Sequence, residues 1–317
     1  MKKATRSKSK RASRVVVVGS LNLDYFTRVE SLPRPGETIA ADRLTRFRGG
    51  KGANQAIAAS RQGCEVTLIG AVGTDEGGGA YRRALEEEGI QTDHIRTAPG
   101  ETGAAFITVD RDGENMIVVA AGANGEVRRA DVTRAAAAIE SCDLLLLQFE
   151  VPATALVEAA RIANQCGIPV VINPSPYLPT FPWQEISADV IIVNESEAIE
   201  LLGFPATPAV AKEVRERLFE LRAGTLVVTR GSEETLAFVR DGDLYEIPVL
   251  SVVPIDTVGA GDAFAGCFAA RYAQGHELEP ALRAANCAGA LTTLGAGAQD
   301  PIPDRDQVDR HLQFLDS

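Results

Sequence analysis

Asp256-Thr257-Val258-Gly259-Ala260-Gly261-Asp262-Ala263-Phe264 sets two glycines and an alanine ahead of an aspartate, and a helix-forming run follows from Ala263 to Ala273. A helix start leaves backbone N–H groups free, and the macrodipole adds positive potential there. Small residues let an anion approach that backbone closely, so the turn suits a phosphate. A carboxylate among those donors is badly placed to bind a phosphate and well placed to act as a base beside one. The alternative is an ordinary helix N-terminus with Asp262 as a first-turn acid.

A second cluster lies about two hundred residues upstream: Gly49-Gly50-Lys51-Gly52-Ala53-Asn54-Gln55-Ala56, itself preceded by Gly19-Ser20-Leu21-Asn22-Leu23-Asp24. Val15–Val18 is a β-branched run typical of a buried parallel strand. Asn22 and Asp24 are then expected at its carboxyl end, where open α/β sheets bind ligands. Their spacing of two points both side chains one way on an extended chain. An amide beside a carboxylate suits vicinal hydroxyls, one group donating and the other accepting. A helix is expected from about Ala53 to Gln62. Lys51 lacks the upstream glycine spacing and following Ser or Thr of a P-loop, and the three spaced glycines of a dinucleotide fingerprint are missing. A polyol site fits better.

Apolar strand candidates alternate with helical stretches along the chain, the pattern of an α/β doubly wound, mostly parallel sheet flanked by helices. Strands are expected at Val15–Val18, Val66–Ile69, Leu144–Gln148, Val170–Ile172, Val190–Val193 and Thr225–Val228. Helices are expected at Ala80–Glu88, Arg129–Ile139, Ala153–Gln165, Ala209–Arg222 and Pro280–Thr293. Phe26–Arg46 and Ile95–Val119 break the alternation, with turns at Pro33-Arg34-Pro35-Gly36 and Asp110-Arg111-Asp112-Gly113. A small β-sheet lid over the sugar end, from residues of about 26–46 and 95–119, accounts for both.

With 317 residues and 45% hydrophobic content, the chain can bury a large core, and no apolar run approaches a membrane span. Lys2, Lys3, Arg6, Lys8, Lys10, Arg11 and Arg14 carry seven positive charges; without them the formal charge of −11 becomes about −18. An acidic body argues against nucleic acid as the main partner. Residues 1–14 are expected as a disordered basic tail before a domain spanning 15–317. Cys64, Cys142, Cys166, Cys267 and Cys287 form an odd set without close pairs, as in a reducing, cytoplasmic compartment.

On these two clusters the chain resembles the ribokinase (PfkB-type) family of carbohydrate kinases. Asn173-Pro174-Ser175-Pro176, Asn194-Glu195-Ser196-Glu197, Thr229-Arg230-Gly231-Ser232 and Ala121-Gly122-Ala123-Asn124 extend the likeness in order. The resemblance implies a ribokinase-like fold, a lid that closes over the sugar, and a homodimer through that lid. It implies ATP-dependent phosphorylation of D-ribose at its 5-hydroxyl, with Asp262 as general base and the Gly259, Ala260 and Gly261 turn as anion hole. The sugar-binding set carries over to Asn22, Asp24, Gly50, Lys51, Asn54, Glu150 and Asp262. Two of these keep local alternatives: Glu150 as a helix N-terminal acid before Pro152, and Lys51 as a surface cation beside a glycine turn.

Asn194, Thr229, Gly231, Gly261 and Asn286 carry over as nucleotide contacts, and Glu197 as a magnesium residue acting through water. Asn194 and Glu197 also fit a local capping box. An activating potassium ion is implied at Asp256 and the carbonyls of Val258, Thr293, Ala296 and Ala298. Here the chain departs from the family, because Pro301 stands where a serine commonly supplies a ligand, and proline offers only its carbonyl. Kinases for 2-deoxyribose, fructose or 2-keto-3-deoxygluconate are the alternatives within the class, and a non-catalytic sugar sensor is the alternative outside it.

Overall fold

The computed structural model describes residues 11–315. Along the chain, β1 (Arg14–Val18) is followed by β2 (Asn22–Arg28) and β3 (Leu44–Gly49), then α1 (Lys51–Arg61), β4 (Glu65–Val72), α2 (Glu76–Glu87) and β5 (Ile95–Thr97). Next come β6 (Gly103–Val109), β7 (Asn115–Ala120), the short helices α3 (Arg129–Arg134) and α4 (Ala136–Glu140), β8 (Leu144–Gln148), α5 (Ala153–Gln165) and β9 (Val170–Asn173). The remainder is β10 (Ala188–Asn194), α6 (Glu195–Leu202), α7 (Ala211–Glu220), β11 (Ala223–Arg230), β12 (Glu233–Val239), β13 (Leu244–Ile247), α8 (Ala260–Ala273), α9 (Leu278–Thr292) and α10 (Arg305–Leu315).

Nine strands form one sheet in the order β13-β12-β11-β10-β9-β8-β1-β4-β5, and four form a small separate sheet in the order β3-β2-β6-β7. The large sheet is parallel except for β12, which pairs antiparallel with both β11 and the edge strand β13. Its strands read as continuous apolar runs because both faces are covered. Val15, Val17, Leu144 and Leu146 enter the core beneath α1 and α8, while Val16, Val18, Leu145 and Leu147 enter the opposite core beneath α5. This is the period of two expressed as two separate cores. Among the described residues, no helix is long and apolar enough to cross a membrane.

Several expectations are corrected. Asn22 and Asp24 do not end β1, which stops at Val18; both lie on β2 of the small sheet. Their shared direction survives, since both are buried on that strand. Ile95–Thr97 belongs to the large sheet through its pairing with β4, not to the small sheet. The expected Arg129–Ile139 helix breaks at Ala135 into α3 and α4. Helices α1, α2 and α8 start earlier than expected, because Gly52, Gly77–Gly79 and Gly261 occupy their first turns and lower their sequence signal. The basic tail lies outside the described residues up to position 10, Arg11 pairs with Asp143 at 2.7 Å, and Arg14 opens β1.

Candidate functional site

Helices α1 and α8 pack closely because α8 has a glycine at the contact: a Cβ at Gly266 would sit 2.3 Å from the Gln55 carbonyl oxygen. That approach brings Asp262, in the first turn of α8, onto two consecutive amides of α1. Asn54 Nδ2 donates to Asp262 Oδ2 at 2.8 Å, and Gln55 Nε2 donates to Asp262 Oδ1 at 3.0 Å. The Gln55 amide cannot turn over. Asn173 donates to the Ile192 carbonyl (2.9 Å), so its Oδ1 faces Gln55 Nε2 (3.0 Å), while Gln148 Nε2 reaches Gln55 Oε1 (2.6 Å). A carbonyl on β10 thus fixes a donor on Asp262. With both ends of the buried Gln55 amide paired in this way, one geometry is locked, while Gln148 Oε1 at the far end of the network has no partner.

Two further carboxylates stand near Asp262. Glu150, just past β8, takes the Ser20 hydroxyl and the Lys51 N–H (3.1 Å) on one oxygen, so it holds the start of α1. Asp24 lies directly over Gly49, where a Cβ would be 2.0 Å from its Oδ2. Its Oδ1 is buried without a hydrogen-bond partner. Such an acceptor fits a ligand hydroxyl. Beside it, Asn124 donates to Asn22 Oδ1 at 2.7 Å and also accepts from Leu21 N at 2.9 Å. Asn22 therefore keeps Nδ2 to offer a hydroxyl, complementing Asp24.

Burial first, and then the charges of Glu150 and Asp262, push the Asp24 carboxyl up from 3.8 to about 7. Lys51 is pulled down by burial, but Asp262, Glu150 and Glu197 outweigh this and hold its ammonium above the usual lysine value. The raised Asp24 value has a consequence for stability. Below 3.8 the carboxyl is neutral in the folded and unfolded chain alike, and between 3.8 and about 7 only the unfolded chain ionises. Above about 7 the folded chain carries the full penalty, of the order of a few kcal/mol. Asp24→Asn is expected to raise the ligand-free Tm above pH 7 and to converge on the parent towards pH 4. A Tm difference independent of pH, followed by scanning calorimetry, contradicts this.

Asp24 also lines a cavity of about 640 Å³ between the small sheet and the segments 254–258 and 296–298. Asp256, Val258, Ala296 and Ala298, four members of the expected potassium set, line the same cavity. Asp256 ties the two segments together, accepting from Val258 N (3.0 Å) and Gly297 N (2.9 Å). The Thr293 carbonyl accepts from Ile255 N at 2.7 Å and Asp256 N at 3.2 Å. The donors are all oxygen, which suits a hard cation. Among the described residues, no cluster of three or more His, Cys, Asp or Glu forms a metal site.

A model of the pfkB family of carbohydrate kinases matches residues 12–305. The chain belongs to this family. Haemophilus influenzae ribokinase is 35% identical over 304 residues, covering 95% of this chain and 98% of the relative. Salmonella typhimurium deoxyribokinase is 33% identical over 303 residues, covering 95% and 99%. The solved structure of Arabidopsis thaliana ribokinase complexed with ribose and ATP superposes with a TM-score of 0.87 at 29% identity, covering 96% and 99%.

In this pfkB kinase the expected nucleotide residues divide. Asn194 and Thr229 are cross-strand neighbours at the carboxyl ends of β10 and β11, and Gly231 turns just beyond with φ +61°. Asn194 and Glu197 make the capping box of α6, at 2.8 and 3.0 Å. Asn286 is engaged by the fold: it accepts from Thr235 and donates to the carbonyls of Ile247 and Pro248 (2.7, 3.2 and 3.0 Å). Its side chain is buried and helps hold α9 against β12 and the end of β13. Gln55, Asn124, Gln299 and Tyr81 join the site without having been singled out. Gln55 and Asn124 sit inside quoted motifs and Gln299 lies in the Gly297–Pro303 run around Pro301, whereas Tyr81 belongs to no motif.

Proposed function

We propose that this pfkB kinase transfers the γ-phosphoryl group of ATP to the 5-hydroxyl of D-ribose, releasing ribose 5-phosphate and ADP. The observation that carries the reading is Asp262, fixed by two oriented amides at the N-terminus of α8 and near enough to Asp24 for its charge to raise that carboxyl. The 5-hydroxyl oxygen attacks phosphorus as its proton passes to Asp262, and the bond to the ADP oxygen breaks. Such transfers depend on positioning and charge stabilisation, and the Gly259–Gly261 turn supplies N–H groups for the phosphoryl oxygens. Asn22 and Asp24 orient the other hydroxyls, with Lys51, Asn54 and Glu150 completing the ring.

Magnesium bound with ATP spreads the charge of the β- and γ-phosphates; Asn194 and Glu197 would hold it through water. Asp256 with the Val258, Thr293, Ala296 and Ala298 carbonyls would hold potassium, and Pro301 contributes no hydroxyl. A homodimer through the small sheet is part of the reading, because Phe106 on the interior strand β6 and Ile117, Val118 and Val119 on the edge strand β7 expose half or more of their surface. Sedimentation would then give twice the chain mass. A cytoplasmic place fits five free cysteines.

The deoxyribokinase relative makes 2-deoxyribose the second reading. ATP-to-ADP turnover across ribose, 2-deoxyribose, fructose, adenosine and 2-keto-3-deoxygluconate separates them, with potassium present or replaced by tetramethylammonium. Ribose is expected to give the highest kcat/KM, and rates are expected to fall without potassium. A faster reaction with another sugar overturns the substrate, and an unchanged rate in tetramethylammonium overturns the potassium site.

A further inference from the structure

We infer that Gln299, oriented by Tyr81, is a positioning residue that aims the Asn54 amide at the catalytic carboxylate and ties it to the end of the lid strand β3. The inference rests on the kinase reading above. Tyr81 is fully buried on α2 and gives its single hydroxyl proton to the Gly49 carbonyl at 2.6 Å. Gly49 is the last residue of β3 and pairs with Asn22 on β2. Having donated its proton, the Tyr81 oxygen can only accept, and it accepts from Gln299 Nε2 at 2.5 Å. That contact decides which end of the Gln299 amide is nitrogen. The second Nε2 hydrogen then reaches Asn54 Oδ1 at 2.8 Å. With its oxygen held there, Asn54 must present Nδ2 to Asp262, as it does at 2.8 Å.

An amide that turns over freely would offer Asp262 an oxygen half the time, and two oxygens would then repel. The relay removes that option. It mirrors the Asn173–Gln55 branch, so each oxygen of Asp262 receives one donor whose direction a backbone carbonyl dictates. The two branches differ in where they are anchored. Ile192 belongs to the large sheet, whereas Gly49 belongs to the small sheet. The Asp262–Asn54 contact is therefore set by the position of the small sheet's own backbone.

Gln299→Met keeps length and burial while removing both donors. It is expected to lower kcat about tenfold, the effect of one lost positioning hydrogen bond, with the ATP KM unchanged and the ribose Kd from calorimetry, to which Asn54 also contributes, raised by a clearly smaller factor. Tyr81→Phe, which leaves Gln299 in place without its reference, is expected to lower kcat by a smaller factor with the same split. In an Asn54→Ala background the Gln299→Met effect should fall below about twofold, because the relay acts through Asn54. Kinetics use whichever panel sugar the parent phosphorylates fastest, so a revised sugar changes the proposed function and leaves this comparison intact. A kcat unchanged in both single variants, a parallel fall in kcat and ribose affinity, or a full tenfold loss persisting without Asn54 overturns the inference.

Discussion

Asp262→Asn is expected to lower kcat with ribose by about 10²–10⁴, the usual cost of losing a positioned base, while ribose binding stays close to that of the parent. The asparagine has the same shape but turns one acceptor oxygen into a donor. That donor meets either Asn54 Nδ2 or Gln55 Nε2, both of which point at Asp262. Neither neighbour can turn to oblige, since Gln299 pins the first and Asn173 pins the second. One buried hydrogen bond is lost, so a drop of about 1–3 kcal/mol in stability accompanies the loss of turnover. The two effects separate by measuring kcat well below the variant's Tm. Full turnover in Asp262→Asn would remove the carboxylate from the role of base.

The second large effect comes from comparing two glycines in one turn. Gly261 does not adopt a left-handed conformation, and apart from its chain neighbours and its own helical turn no atom lies within 4 Å of the place a Cβ would take. The fold therefore has no need of glycine there. If the open space is where phosphoryl oxygens lie, Gly261→Ala should keep the parent Tm and lose about 10²–10³ in kcat. Gly259 is different: its φ is +80°, and a Cβ would stand 2.6 Å from the Ala298 carbonyl oxygen. Gly259→Ala combines left-handed strain of about 1–2 kcal/mol with a collision against backbone, so Tm and activity should fall together. Thermal melts and steady-state kinetics on both variants check this. An active Gly261→Ala enzyme would contradict the anion-hole assignment.

Much of the fold was legible because its signals are local. The valines of β1 and the leucines of β8 mark strands buried on both faces, and α5 begins and ends where its apolar period does. The turn at Gly259–Gly261 and the run from Gly49 to Gln55 announced a site because glycines cluster there without a structural repeat. What stayed hidden depended on tertiary placement. β2 follows β1 after only three residues, so Asn22 and Asp24 seem to belong to the strand they have already left. Asn286 looked available as an isolated polar residue on an apolar helix, and only packing shows its three hydrogen bonds to the fold. Tyr81 and Gln299 meet across 218 positions of sequence, and nothing in either neighbourhood signals the other. The three carboxylates Asp24, Glu150 and Asp262 come from three separate segments, so the raised pKa of Asp24 was beyond a one-dimensional reading.

The most direct measurement is the position of the phosphate in the product. Ribose labelled with carbon-13 is incubated with the protein, ATP, magnesium and potassium, and the product is examined for carbon–phosphorus coupling. Coupling at C5, with one ADP formed for each sugar phosphate, is the result expected from a base at Asp262 and an anion hole at the start of α8. Coupling at the anomeric carbon, or ADP accumulating without any sugar phosphate, would contradict the account.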